Sequence, residues 1–141
     1  MAEAERGGRM QAPESILTVW NQFNHFPMEN FTKVWYANRN PLQRQRSVAL
    51  MKQHYDQYKI AGNCFDLALW LLDELSTNNI QAYAIGHDLF TEKAHVAVIA
   101  VDENNLKYLC DLGDQWIQPI CVDVHSKAFH SEDCGGLCRC I

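Results

Sequence analysis

The chain has 141 residues, 48% hydrophobic and 21% charged, a length and balance suited to one globular domain around a single core. Its formal charge of −5 argues against a general binder of nucleic acid or membrane surface, since both need a basic excess, but not against a small anion in a local basic pocket. No apolar run reaches the ~18 residues of a membrane span, and the stretch from Met1 to Gln11 lacks the apolar centre of a signal peptide. The expected address is therefore cytoplasmic, with the six cysteines as thiols.

Residues 1–12 are polar and glycine-bearing and read as a disordered segment. Pro13 opens a first helix, Glu14 to about Asn24, with Ile16, Leu17, Trp20 and Phe23 on one face. The run from His25 to Phe31 breaks this period with Pro27 and reads as an aromatic-rich loop. Asn40-Pro41 has the form of a helix start. The helix expected from there to Tyr58 has Val48, Met51, Tyr55 and Tyr58 as its inner stripe, and Arg44, Arg46 and Lys52 as a solvated face. Gly62-Asn63 is the next break. Behind it Cys64, Leu67, Ala68, Leu71, Leu72 and Leu75 form a helical stripe with the cysteine at its head, and Asn78-Asn79 ends the helix.

From Ile80 the period becomes two. Strands are expected over 81–86, 94–101 and 106–112, the last two forming a hairpin across Asp102-Glu103-Asn104-Asn105, with one more strand over 116–124. Helices first and strands second is an α+β order: a bundle of about three helices followed by an antiparallel sheet or partial barrel. The domain core is expected over 13–125, and residues 126–141 form an irregular cysteine-rich tail.

Three residues carry the chemistry. A helix N-terminus stabilises a thiolate, and Cys64 stands at one, behind a glycine small enough to let a substrate approach. A buried core cysteine is the plainer reading of that residue alone. His95 opens the apolar run Val96 to Val101, fixed by a strand yet near its mouth, where a general base is wanted; a solvent-facing strand-end histidine is the plainer alternative. Asp111 closes the apolar stretch Tyr108-Leu109-Cys110, where a carboxylate is costly without a partner. If Val101 pairs with Asn105, or Ala100 with Leu106, His95 lies directly opposite Asp111 on one face. A two- or four-residue loop would place them on opposite faces. The pattern permits the productive register without forcing it. In that arrangement Cys64 attacks an acyl carbonyl, His95 shuttles the proton, Asp111 fixes the imidazole, and helix N–H groups stabilise the oxyanion.

Cys at a helix start, His opening a strand and Asp closing its hairpin partner resemble the papain-like and transglutaminase-like superfamily, and within it the arylamine N-acetyltransferase family. Gly62-Asn63-Cys64-Phe65-Asp66 is similar to that family's Arg-Gly-Gly-X-Cys-Phe-Glu, and Ala94-His95-Val96-Ala97-Val98 to its histidine strand. Tyr108-Leu109-Cys110-Asp111-Leu112-Gly113 is similar to Tyr-Leu-Val-Asp-Val-Gly, and Gln118-Pro119-Ile120 to Gln-Pro-Leu. Phe26 to Phe31 resembles Ile-Pro-Phe-Glu-Asn-Leu. The resemblance implies ping-pong acetyl transfer from acetyl-CoA, through a cysteine thioester, to an arylamine, arylhydrazine or hydroxylamine. It also implies a helical bundle, a β-barrel and a lid. Gly62, Asn63, Phe26 and Gly113 are the expected substrate-binding residues.

The departures are Ile60-Ala61-Gly62-Asn63 for Arg-Gly-Gly-X, Asp66 for Glu, and a length about half that of the family, which removes the lid and reads as a truncated frame. The expected partners are a CoA thioester and a small amine, with no nucleic acid or membrane; a lidless barrel exposing apolar surface would favour a homodimer. Two other readings use the same fold: a transglutaminase-like or amidase/peptidase-like cysteine hydrolase, and an inactive remnant. His125, His130, Cys134, Cys138 and Cys140 suggest zinc, but C-x3-C-x-C matches no common zinc module, so no metal is expected.

Overall fold

The structure, a computed structural model, describes residues 10–114 and 118–123. Within them the chain forms α1 (Glu14–Asn21), α2 (Phe31–Arg39), α3 (Val48–Tyr58) and α4 (Cys64–Thr77), then β1 (Gln81–His87), β2 (His95–Val101), β3 (Lys107–Cys110) and β4 (Ile120–Cys121). The strands make one antiparallel sheet in the order β1-β2-β3-β4. This is an α+β fold, and among the described residues no helix is long and apolar enough to cross a membrane. The expected disordered segment, apart from Met10, Gln11 and Ala12, and the cysteine-rich tail lie outside the described residues, as do Trp116, Ile117 and Val124 of the expected last strand.

The α1 helix buries Ile16, Leu17, Val19 and Trp20 and ends earlier than expected, at Asn21. Bonds three residues apart, from Gln22 to Val19, Phe23 to Trp20 and Asn24 to Asn21, then tighten the chain beyond its end. Phe23 stays in the core nonetheless.

The α2 helix is a correction to the sequence reading, which has about three helices, a loop ending at Phe31 and no element between that loop and Asn40. Only Thr32 is buried in it, so no apolar stripe announces it. It is nucleated instead by Glu29, whose carboxylate accepts from the Thr32 backbone N–H at 2.9 Å and from the Thr32 hydroxyl. Asn40-Pro41 is likewise a stop and not a start. Asn40 caps the C-terminus of α2, its backbone N–H and side-chain amide both donating to the Tyr36 carbonyl at 3.0 and 3.1 Å. The α3 helix starts later, capped by the Ser47 hydroxyl, which accepts from the Leu50 N–H at 3.2 Å. Starting there turns Met51 and His54 inward, while Tyr58 is exposed.

The α4 helix begins at Cys64 with a capping box: Asn63 accepts from the Asp66 N–H at 3.2 Å and Asp66 accepts from the Asn63 N–H at 3.3 Å. Its buried residues Leu67, Ala68, Leu71 and Leu75 join Val98 and Ala100 of β2 and Tyr108 and Cys110 of β3 in the main core. The sheet is apolar on its other face too, where Ile85, Ala97, Ile99 and Val101 cluster with Tyr83 and Leu109. Strands carrying apolar residues on both faces read as continuous hydrophobic runs, as residues 96–101 do.

Because Leu71 is fully buried between helix and sheet, Leu71→Ala is expected to destabilise the fold by about 2–5 kcal/mol. Urea unfolding checks this as a lower midpoint at unchanged slope.

Candidate active site

The β2–β3 register is set by its loop. Val101 pairs with Lys107, and the Asp102 N–H donates to the Leu106 carbonyl, so Glu103, Asn104 and Asn105 form the connection. Asn105 takes the left-handed conformation at φ 62° that such a loop requires. The Asp102 carboxylate accepts from the Asn104 and Leu106 N–H groups at 2.8 and 2.9 Å and holds the turn. An odd loop keeps His95 and Asp111 on one face.

The pairing differs from the expected one by two residues. Val98 faces Cys110, and continuing that register sets Ala97 across from Asp111 and His95 across from Gly113. Histidine and aspartate are therefore diagonal neighbours, not direct partners. The residue directly across from the imidazole has no side chain, which leaves the ring room to lean toward the carboxylate.

It does so. His95 Nε2 lies 2.7 Å from Asp111 Oδ2. The other oxygen, Oδ1, accepts from the backbone N–H groups of Gly113 and Asp114 at 3.0 and 3.3 Å, so both carboxylate oxygens are fixed in direction. With Asp111 ionised, Nε2 carries the proton in this bond and Nδ1 is left as the basic nitrogen.

Gly113 is where the three residues meet. A Cβ built on it would stand 2.5 Å from His95 Cε1, 3.2 Å from Asp111 Oδ1 and 3.3 Å from Cys64 Cβ. Thiol-bearing, imidazole and carboxylate side chains thus surround one small volume that only a glycine leaves open. Among the described residues no hydrogen bond joins the Cys64 sulfur to the ring; such pairs are commonly loose until substrate draws them together.

Cys64 is half-buried at the first turn of α4. With the Asp66 N–H held by Asn63, the amides of Cys64 and Phe65 are the first-turn donors without a partner among the described residues, beside the sulfur. The other described cysteines differ: Cys110 is sealed in the core and its thiol is pushed up to about 12 by burial, and Cys121 is buried as well.

Three of the four expected substrate contacts are spent on structure. Gly62 is buried at φ +144°, and a Cβ there would stand 2.3 Å from Asp66 Oδ2; it admits the capping carboxylate, not a ligand. Asn63 is the other half of that cap. Phe26 belongs to an aromatic cluster, its ring 5.1 Å from Phe23, 4.3 Å from Tyr55 and 4.7 Å from Trp70. Its side chain thus packs between the helices. Gly113 alone of the four sits among Cys64, His95 and Asp111.

Sequence reasoning missed the support beneath Cys64. Arg46, expected on a solvated face, is 3% exposed. Its guanidinium donates to the Ala61 carbonyl, lies 3.2 Å from His54 Nδ1 and pairs with Asp66 Oδ2 at 3.5 Å. Gln45 donates to Asp66 Oδ1 at 2.6 Å, and Lys33 stands 3.5 Å from the same oxygen. Burying a charge is tolerable only when paired and hydrogen-bonded throughout, and this cluster meets that demand by gripping the chain on both sides of the cysteine. The only signal was the capping pattern that made Asp66 an inward-turning carboxylate.

A cavity of about 270 Å³ opens beside the histidine–aspartate pair, lined by Ile85, Gly86, His87, His95, Ala97, Leu109, Asp111 and Asp114. The His87 ring lies 5.5 Å from that of His95. Ligand atoms of His95, Asp111 and Asp114 fall within 4.8 Å of one another, a spacing a metal ion could use. The five residues of the zinc alternative lie outside the described residues.

No family model, curated protein or solved structure matches this chain significantly. Function therefore has to be argued from the site.

Two outcomes follow from this geometry. Burial, and then the Arg46 charge, lowers the pKa of His54 below its ordinary 6.5. The stability carried by neutral His54 is complete above that value and is lost as pH falls below it. The thermal midpoint is expected to fall as the pH drops below about 6.5, and His54→Gln to flatten that fall. In Gly113→Ala, the added methyl is expected to push the ring off Asp111. Nitrogen-15 NMR would show the His95 Nε2–H resonance lost or shifted while most backbone amides keep their positions.

Proposed function

We propose that this chain is an acyltransferase of the arylamine N-acetyltransferase type, with a papain/transglutaminase-like core, using Cys64, His95 and Asp111. The observation that carries the reading is the 2.7 Å His95–Asp111 bond beside Gly113, with the Cys64 Cβ packed on the same point.

The chemistry follows from the order of contacts. His95 Nδ1 takes the Cys64 proton, and the thiolate adds to the carbonyl of an acyl thioester such as acetyl-CoA. The oxyanion is met by the first-turn amides of α4. The C–S bond to the donor breaks, the departing thiolate takes its proton from the imidazolium, and an acetyl thioester remains on Cys64. An amine then adds to that thioester and gives its proton to His95, and the Cys64 thiolate leaves. Asp111 holds one tautomer throughout and stabilises the charged ring.

The acidity of the cavity supports a basic alkylamine as acceptor, since a weakly basic arylamine is neutral at about pH 7 and gains nothing from the carboxylates. Asp111 and Asp114 line it, and Asp88 lies beside the lining residue His87, its carboxylate 2.9 Å from that ring. Carboxylates around an opening raise the local concentration of basic amines. A cysteine hydrolase would need no such lining.

Incubation with acetyl-CoA is expected to place one acetyl group on Cys64 by intact mass and peptide mapping, with none in Cys64→Ser. Asp111→Asn is expected to slow the acylation by roughly two orders of magnitude or more. Hydrolysis of amide substrates without an acetyl-enzyme would instead establish a hydrolase. A Cys64 that alkylates no faster than a free thiol at every pH would mark an inactive remnant.

A further inference from the structure

A second cavity stands apart from the one beside the triad. A cleft of about 550 Å³ lies between α2 and the end of α3, lined by Phe31, Thr32, Trp35, Arg39, Tyr58 and Ile60, within the size range of small-ligand sites. Its apolar walls are unusually wet. Phe31 is 86% exposed, and Trp35 and Tyr58 are also open to solvent. Aromatic faces left in water around one cleft are costly unless something stacks on them.

Charge narrows the choice of occupant. Residues 30–55 carry Lys33, Arg39, Arg44, Arg46 and Lys52 and not one Asp or Glu, in a chain whose net charge is −5. Lys33 and Arg46 are committed to Asp66, and Lys52 to Asp73 and Glu74. Arg39 has no carboxylate partner among the described residues. Its guanidinium lies over the Trp35 ring, 5.5 Å from the centroid, at the cleft. Glu29, the nearest acid in sequence, turns both oxygens to Thr32.

A planar face beside an unpaired guanidinium matches a ligand that is flat at one end and phosphorylated near it. We propose that this cleft holds the adenosine bisphosphate end of the acyl-CoA donor, the purine stacking on the aromatic wall and a phosphate meeting Arg39. The assignment deepens the acyltransferase reading and rests on it for the identity of the donor. Ile60 lines the cleft four residues before Cys64, so their Cα atoms are at most about 14 Å apart. An extended pantetheine arm covers that span. The molecule then presents a basic aromatic cleft to the donor and an acidic cavity to the acceptor.

The test uses the full chain and two probes. Adenosine 3′,5′-bisphosphate is titrated at low salt, following tryptophan fluorescence and heat. Saturable binding is expected, weakened about tenfold or more by Arg39→Gln and by Trp35→Leu, with the circular dichroism of both unchanged. Cys64→Ser is expected to bind like the wild type. In the second arm, Arg39→Gln is expected to raise the acetyl-CoA concentration for half-maximal acylation of Cys64 about tenfold, leaving that for S-acetylpantetheine unchanged. Failure of the bisphosphate to bind, or equal binding by both variants and the wild type, overturns the assignment. So does concentration-dependent burial of Trp35 without ligand, which gives the cleft to a second copy of the chain. Acylation with unaltered donor dependence in the variants removes the cleft and leaves the acyltransferase standing. Arg39-dependent nucleotide binding with no acylation keeps the cleft as a nucleotide site and removes the acyltransferase.

Discussion

The arrangement depends on one buried carboxylate. Asp66 has 1% of its surface exposed and receives hydrogen bonds or charge from Asn63, Gln45, Arg46 and Lys33. Alone at that depth it would be too costly to keep ionised. Paired, it ties together the start of α4, the turn before α3 and helix α2, while Arg46 reaches on to the Ala61 carbonyl. Cys64 lies inside that grip. The first-turn amides owe their direction to the same contacts, so the electrostatics around the Cys64 thiol and the packing of the helices are one problem with one solution.

The second constraint is the register of the β2–β3 hairpin. A loop of odd length keeps the basic and acidic side chains on one face, but the two-residue offset prevents them from facing each other. The offset is useful because it brings Gly113, not a side chain, opposite the imidazole. The ring can then tilt along the strand to reach a carboxylate that two backbone N–H groups already aim. The sheet carries an apolar layer on each face, Val98 and Ala100 on one and Ile99 and Val101 on the other, so the loop held by Asp102, and not the hydrophobic pattern, fixes the register.

Polar groups were the hardest to place from sequence, for a common reason. Arg46 reads as surface because a lone arginine is usually solvated, and nothing within residues 40–60 announces that its partner lies beyond a glycine break at Asp66. Asn40-Pro41 reads as a helix start because the same pair serves at either end, and only Glu29 capping Thr32 makes a helix of the residues before it. Phe26 was placed at the site by its position in a motif, whereas its ring packs with Phe23, Tyr55 and Trp70 on the helical side.

The sequence by itself determined the α+β order, the leucine stripe of α4 with Cys64 at its head, the strand beginning at His95 and the hairpin ending in Asp111. Each of these is a local pattern: helical or alternate-residue spacing, and turn residues that fix a break. It left open the strand register, the depth of Arg46 and Asp66, the helix at 31–39 and the meeting of three side chains around Gly113. Those depend on which surfaces face one another after collapse. Hydrophobic periodicity selects the inward face of an element but not what it meets there, and a hydrogen-bonded charge becomes legible only when its distant partner is in place.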